Sequence, residues 1–391
     1  MTSVAIVGGG IGGLTAALAL LRAGVDVDVD VYEQAHELRE VGAGINVGPN
    51  ASRILHGLGL ADELEHMGVR PLAFHQRRWD DGRTLLWTPL GEAVVEAFGF
   101  PHYQMHRADL LATILRALPP ERVHVGHRLV GVADHGDRVV AEFENGTRAE
   151  ADVVIGADGI HSAIRRALFG PAEPHFTGCA AYRGLVSAER LRGLDVAVEA
   201  QIWMGPGKHF VHYYVQRKRL INFVAIFEQE AWTRESWTDR GDLADALVAF
   251  EGWHPQVRAI LESADETFVW ALFDRAPLER WSVGRATLLG DACHPMLPFM
   301  AQGAAQAIED AAALATCVSG TRDVVEALRR YEAARLPRTA RIQALSAGNK
   351  LRFHLPDGPE QEARDAEMAS SATDWSFEAV AWIYGHDAAA T

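Results

Sequence analysis

Residues 4–33 read VAIVGGGIGGLTAALALLRAGVDVDVDVYE. Val4-Ala5-Ile6-Val7 is a short, wholly apolar strand, and Leu14 to Ala23 is a small-residue-rich helix stopped by Gly24. Val25 to Tyr32 alternates valine with aspartate before an apolar end, the pattern of a second strand. Between strand and helix, Gly8-Gly9-Gly10-Ile11-Gly12-Gly13 fits G-x-G-x-x-G at Gly8, Gly10 and Gly13. In such a turn Gly8 allows the tight bend, Gly10 lets phosphates approach the backbone, and Gly13 lets the helix pack on the sheet. The helix start then offers unsatisfied N–H groups and a partial positive charge. Glu33, twenty residues after Gly13, stands where a carboxylate closing the second strand meets ribose hydroxyls. The unit predicts dinucleotide binding without separating NAD from FAD.

The run Val4 to Leu21 carries no charge for eighteen residues, which invites a signal-peptide or membrane reading. Its five glycines and the lack of a preceding basic residue favour a buried strand and helix instead. The whole chain has 391 residues, 48% of them hydrophobic, enough for two domains with buried cores. Its 37 basic against 52 acidic residues give a net charge of −15, which disfavours nucleic acid or an anionic membrane as partner. Cys179, Cys293 and Cys317 are far apart and odd in number, so neither a disulfide framework nor a zinc spacing arises, and a reducing cytoplasm fits.

Further along, Arg122–Val125, Leu129–Ala133 and Arg138–Glu144 read as strands joined by tight turns at His135-Gly136 and Asn145-Gly146. Val153-Val154-Ile155 runs into Gly156-Ala157-Asp158-Gly159, and Ala286–Leu289 runs into Gly290-Asp291. Cys179 to Phe227 is strand-rich, Asp242 to Leu261 looks helical, and an alanine-rich helix covers about Gly303 to Val318. The alternation of α/β and all-β stretches suggests one domain inserted in another.

Gly156-Ala157-Asp158-Gly159 with Ser162 and Arg165, and Gly290-Asp291-Ala292-Cys293-His294-Pro295 with Gln302-Gly303 and Glu309-Asp310, join the first glycine motif in order. With His106-Arg107-Ala108-Asp109-Leu110, they resemble the fingerprints of the flavin monooxygenases related to para-hydroxybenzoate hydroxylase, from Val4 to about Arg341. Gly42 to Asn50, Ala181-Tyr182-Arg183-Gly184 and Trp382-Ile383-Tyr384-Gly385 are similar to salicylate, 3-hydroxybenzoate and 6-hydroxynicotinate hydroxylases in particular.

This resemblance implies an α/β fold: a Rossmann-like FAD-binding domain with a parallel sheet, and an inserted β-rich substrate domain. The expected FAD-binding segments are 1–70, 102–170 and 276–350, the substrate-binding segments 71–101 and 171–275, and 351–391 a C-terminal helix and tail. It further implies FAD as cofactor, NAD(P)H and O₂ as co-substrates, and hydroxylation of a small phenolic or hydroxypyridine carboxylate through a flavin C4a-hydroperoxide, with or without decarboxylation. Asp291 would bond the ribityl hydroxyls, Arg39 and Arg107 would frame the phosphates, and Gly44, Ile45, Gln302 and Gly303 would complete the cofactor site. Asp158 either joins the flavin and nicotinamide region or caps a helix. Asn46, Pro298 and Phe299 would line the substrate pocket. Homodimers are common among the proteins resembled, while the sequence itself carries no assembly signal.

On the strand Lys208 to Tyr214, His209, Val211 and Tyr213 share one face and Phe210, His212 and Tyr214 the other, and periodicity does not choose between them. The resemblance, through His-x-x-x-Tyr, selects His209 and Tyr213 as catalytic, with His209 removing a phenolic proton. Adjacent Cys293 and His294 do not suggest a metal, since neighbours in sequence rarely converge on one ion. Phe299 stands where decarboxylating members carry histidine, and Asn46 where the nicotinate type does, which weakens a direct assignment of 6-hydroxynicotinate or salicylate as substrate. Two other readings share the cofactor motifs: a flavin reductase or dehydrogenase without oxygen insertion, and a non-catalytic FAD sensor. Aromatic residues of the tail, Trp375, Phe377, Trp382 and Tyr384, suggest docking on the body or on a neighbouring subunit.

Overall fold

The computed structural model describes residues 1–24, 26–38, 43–230, 232, 240–370 and 376–390. The opening βαβ unit is present as strand Thr2–Val7, helix Ile11–Arg22 and strand Val27–Glu33. Both strands belong to a parallel sheet in the order Ala286–Leu288, Val153–Gly156, Thr2–Val7, Val27–Glu33, Val123–Val125. Because Val29 and Val31 face the core, Asp28 and Asp30 of the Val-Asp repeat pair outside with Arg122 and His124. The repeat therefore keeps one face dry along its length and delivers Glu33 at the strand end. Val25 lies outside the described residues.

A three-stranded antiparallel sheet, Leu129–Asp134, Val139–Phe143 and Arg148–Ala151, flanks this layer. The larger sheet has eight strands, in the order Arg240–Gly241, Thr267–Asp274, His175–Ser187, Leu220–Glu228, Lys208–Val215, Ala200–Gly205, Ala73–Arg78, Thr84–Pro89. Its strands come from two separate stretches of chain, 73–89 and 175–274. A small two-stranded ribbon, Gly44–Val47 with Tyr103–His106, stands between the layers.

Two helical regions differ from the sequence expectation. Asp242 to Leu261 is two helices, Leu243–Ala249 and Pro255–Glu262. Gly252, with φ +77°, turns the chain, and Pro255 starts the second helix, where its missing N–H costs nothing. After the alanine-rich helix Gly303–Ser319 comes a thirty-residue helix, Val324–Phe353, that the patterning did not reveal. Asp323 caps it by accepting from the N–H groups of Val325 and Glu326.

The tail folds back on the body. Helix Phe377–Tyr384 places the Phe377 and Tyr384 rings edge-on to Phe98, with centroids at 5.5 and 5.8 Å. Arg338 donates to the carbonyls of Trp382 and Ile383 at 2.6 and 2.9 Å. Trp375 lies outside the described residues. Among the described residues no helix is long and apolar enough to cross a membrane, the uncharged opening run being split between strand and helix.

Candidate active site

Three strands of the parallel sheet end side by side, at Val7, Gly156 and Leu288, and ligands of such sheets bind beyond these carboxyl ends. There the structure opens a cleft of about 670 Å³ whose opposite wall is the eight-stranded sheet.

The glycine turn fits a pyrophosphate for steric reasons. A Cβ at Gly8, φ +113°, would lie 2.2 Å from the Ala157 carbonyl oxygen, and one at Gly13 would lie 2.0 Å from that of Gly8. Gly10 differs, since beyond its two chain neighbours no heavy atom of the described residues lies within 4 Å of where its Cβ would point. Space and the N–H groups starting helix Ile11–Arg22 thus coincide, and Gly10, Ile11 and Gly12 line the cleft. Glu33 spans the turn, accepting from Gly9 N at 2.7 Å and Ala35 N at 2.8 Å.

Asp291 opens onto the same cleft, as do Arg107, Gly44, Ile45 and Gly303. Surrounding protein pushes the Asp291 carboxyl up, while His294 and Arg107 pull it back. Behind it lies a buried ionic network. Asp310 accepts from Gly290 N at 3.0 Å, His294 Nε2 at 2.6 Å and Arg335 Nε at 2.7 Å. Glu309 accepts from Arg335, from Arg338 and from Asn50 Nδ2 at 2.6 Å. Burial raises both carboxyls, but the guanidinium and imidazole donors outweigh it and hold each at about 2. The network ties the Gly290-Asp291 turn to helix Gly303–Ser319, whose start faces the cleft at Gly303 and Ala304. These donors, dipole and open turn fit an anionic dinucleotide.

Two expected cofactor residues are turned elsewhere. Asp158 accepts from Ser162 Oγ and from the N–H groups of Ala163 at 2.7 Å and Ile164 at 3.2 Å, so its carboxylate caps helix Ala163–Phe169. Gln302 is buried, its side-chain oxygen accepting from Asn50 and Gln306. Arg39 lies outside the described residues.

Cys293, His294 and Asp310 bring ligand-type atoms within 4.8 Å of one another. His294 and Arg335 already occupy the Asp310 carboxylate, and burial raises the Cys293 thiol far above its usual range. With the Asp310 oxygens taken and the Cys293 thiol donating to the Gly290 carbonyl at 3.3 Å, the trio is a poor cage for a cation.

On the opposite wall, His209, Val211 and Tyr213 line the cleft. Phe210 and Tyr214 pack into the core behind the sheet, and His212 turns to Gln256 there. Gly44 passes so close that a Cβ would sit 2.6 Å from the Tyr213 hydroxyl, which makes glycine necessary at that crossing. Burial holds the Tyr213 phenol above its ordinary range. His209 meets Phe299 edge-on at 5.0 Å, and Pro298 and Phe299 line the cleft beside it. Asn46 Oδ1 faces His102 Nε2 at 3.2 Å and accepts from Gln104 at 3.4 Å, so the ribbon fixes its orientation.

Beyond the residues singled out as site candidates, Arg183 lines the cleft and His354 stands behind it. Arg183, buried, lies 4.3 Å over the Trp270 ring and gives this wall a cation. His354 contacts His209 across 145 residues of chain, a pairing only the fold creates. The polar alternation His102, Gln104, His106 is the one pattern that could have marked the ribbon.

The FAD binding domain family model matches residues 1–346. A 3-amino-4-hydroxybenzoate 2-monooxygenase of Streptomyces platensis is 44% identical over 387 residues, 99% of this chain and 96% of that protein. A 6-hydroxynicotinate 3-monooxygenase of Pseudomonas fluorescens is 39% identical, covering 88% of this chain and 90% of its own. Among solved structures, Klebsiella pneumoniae HpxO complexed with FAD and uric acid superposes with a TM-score of 0.87 at 29% identity, over 98% of this chain and 96% of that one.

Proposed function

The chain belongs to the FAD binding domain family, and from that premise we propose that its substrate is a small hydroxybenzoate or aminohydroxybenzoate. It is an FAD-dependent aromatic monooxygenase that uses NAD(P)H and O₂. One observation supports the substrate reading best: the dinucleotide cradle and the His209–Tyr213 face line a single cleft.

Bound FAD supplies the reduced, oxygen-activating ring, and the chain supplies everything around it. Gly8, Gly10, Gly13, Glu33, Arg39 and Arg107 would hold the adenosine and phosphates, Asp291 the ribityl chain, and Gly44, Ile45 and Gly303 the ring edge. The first turn of helix Gly303–Ser319 favours negative charge at that edge. His209 takes the phenolic proton, making the substrate ring electron-rich, while Tyr213, Asn46, Pro298 and Phe299 orient it and exclude water. Arg183 offers its charge to the substrate carboxylate. Phe299 and Asn46 favour a benzoate over a hydroxynicotinate.

We divide the chain into FAD-binding segments 1–70, 102–170 and 276–350, substrate-binding segments 71–101 and 171–275, and a C-terminal unit 351–391, and assign it to the cytoplasm as a homodimer. The monooxygenase relatives support oxygen insertion over a bare reductase or a sensor.

The test is NAD(P)H oxidation under ¹⁸O₂ across 3-amino-4-hydroxybenzoate, 3-hydroxybenzoate, salicylate and 6-hydroxynicotinate, with product masses. A hydroxybenzoate or aminohydroxybenzoate that gains one ¹⁸O and keeps its carboxylate is the expected result. ¹⁸O gain confined to 6-hydroxynicotinate, or no gain at all, overturns the substrate assignment.

A further inference from the structure

His209 is buried in the cleft wall, yet the base reading requires it to dispose of the proton it takes from the substrate. Its Nδ1 lies 2.7 Å from Nε2 of His354, itself buried at the end of the thirty-residue helix. Nδ1 of His354 lies 3.0 Å from Oε1 of Glu228, whose side chain is 47% exposed. Three titratable groups thus form an unbroken line from the cleft to solvent. We propose that His354 and Glu228 are the proton exit of His209, carrying the phenolic proton from the cleft to bulk water. This rests on His209 being the base.

The tautomers follow from the hydrogen-bonding inventory. An ionised Glu228 can only accept, so His354 carries its proton on Nδ1 and presents a lone pair at Nε2. His209 must then donate from Nδ1, which leaves its Nε2 lone pair for the cleft, the form a general base needs. In the transfer, the substrate O–H bond breaks as His209 Nε2–H forms. His209 Nδ1–H breaks as His354 Nε2–H forms, and His354 Nδ1–H breaks as an O–H bond forms on Glu228. Glu228 releases the proton to water, no electron pair changes redox state, and reverse passage resets both rings.

The electrostatics favour passage over storage. Burial, then His354, holds the His209 ring well below its usual range, so an imidazolium trapped there is disfavoured. Burial also lowers His354, while the hydrogen bond and charge of Glu228 raise it and Lys350 lowers it. Lys350 donates to the Thr177 carbonyl at 2.6 Å and is the cation beside the line. Gly207 N donates to the His354 carbonyl and Glu228 N to the Gly207 carbonyl, so the turn before the His209 strand fixes both partners.

The experiment uses the FAD-loaded enzyme and a phenol whose ionisation is coloured, 4-hydroxy-3-nitrobenzoate, followed after a pH jump. Glu228→Gln keeps an oxygen that accepts from His354 but no longer takes a proton, and on an exposed side chain it spares the fold. Glu228→Gln and His354→Gln are expected to slow ionisation of the bound phenol about ten-fold or more with binding affinity little changed. Glu228→Asp, which retains a carboxylate, is expected to restore the rate. Wild-type rates in both glutamine variants alongside a slow His209→Ala overturn the exit but leave the base standing. A wild-type rate in His209→Ala overturns the base itself, and the exit with it.

Discussion

On the strand Lys208–Val215, one residue separates a cleft position from a core position, and His209 and His212 fall on opposite sides of that divide. The alternation was legible in sequence, because the pleat imposes it on any strand. Periodicity did not choose the face that meets the cleft, since both carry a histidine and a tyrosine, and only the His-x-x-x-Tyr resemblance pointed to His209 and Tyr213. Asp158 illustrates the same limit: its position at a strand end was plain, yet only the fold shows its carboxylate spent on helix Ala163–Phe169. The base reading makes a definite prediction at this scale. His209→Ala should still bind FAD and oxidise NAD(P)H, because His209 lies on the wall opposite the glycine turn. Product formed per NAD(P)H consumed should fall by two orders of magnitude or more, the usual range for a lost general base. Equal product per NAD(P)H in variant and wild type removes His209 from the chemistry.

Among elements, helix Gly303–Ser319 was legible from its alanine run, and helix Val324–Phe353 was not. The second contains Pro337 and many charged residues, so periodicity alone reads as solvated chain. Its reason to exist is tertiary. Tyr331 donates to the Leu288 carbonyl at 3.0 Å, and fully buried Arg335 reaches both Glu309 and Asp310 on the neighbouring helix. Through Asp310 the same arginine steadies Gly290 N, and with it the turn bearing Asp291. Arg335→Met therefore removes the one guanidinium that two buried carboxylates share, leaving Glu309 to Arg338 and Asp310 to His294. The expected cost is about 3–5 kcal/mol, read as a lower urea midpoint, because a broken buried pair leaves charge uncompensated. FAD affinity should fall with it, since the cofactor turn loses its support. A variant with unchanged urea midpoint and unchanged FAD affinity would remove the network from any structural role.

Over the whole molecule, the net charge of −15 describes the exterior, while the cleft is governed by helix starts and by Arg107 and Arg183. The contrast also governs acid stability. Burial alone holds the His102 ring down to about 4. Burial, then Arg77 and His75, holds His212 at about 3, and His209 is likewise held well below its usual range. In the unfolded chain each titrates near 6.5. Below that pH the unfolded chain binds more protons than the folded one, so stability rises with pH and is complete above about 7. It is lost as pH falls from about 6.5 towards about 4, with His102 alone contributing on the order of 3 kcal/mol by the end of that window. Glu309 and Asp310, held at about 2, add to the loss only below the ordinary carboxylate range near 4. Self-repulsion runs the other way, because protonation in this window reduces the excess negative charge. Urea midpoints should be level above about pH 7 and decline between about 6.5 and 4. His102→Gln, which cannot be protonated, should make that decline shallower. An equally steep decline in His102→Gln would mean that acid acts elsewhere in the molecule.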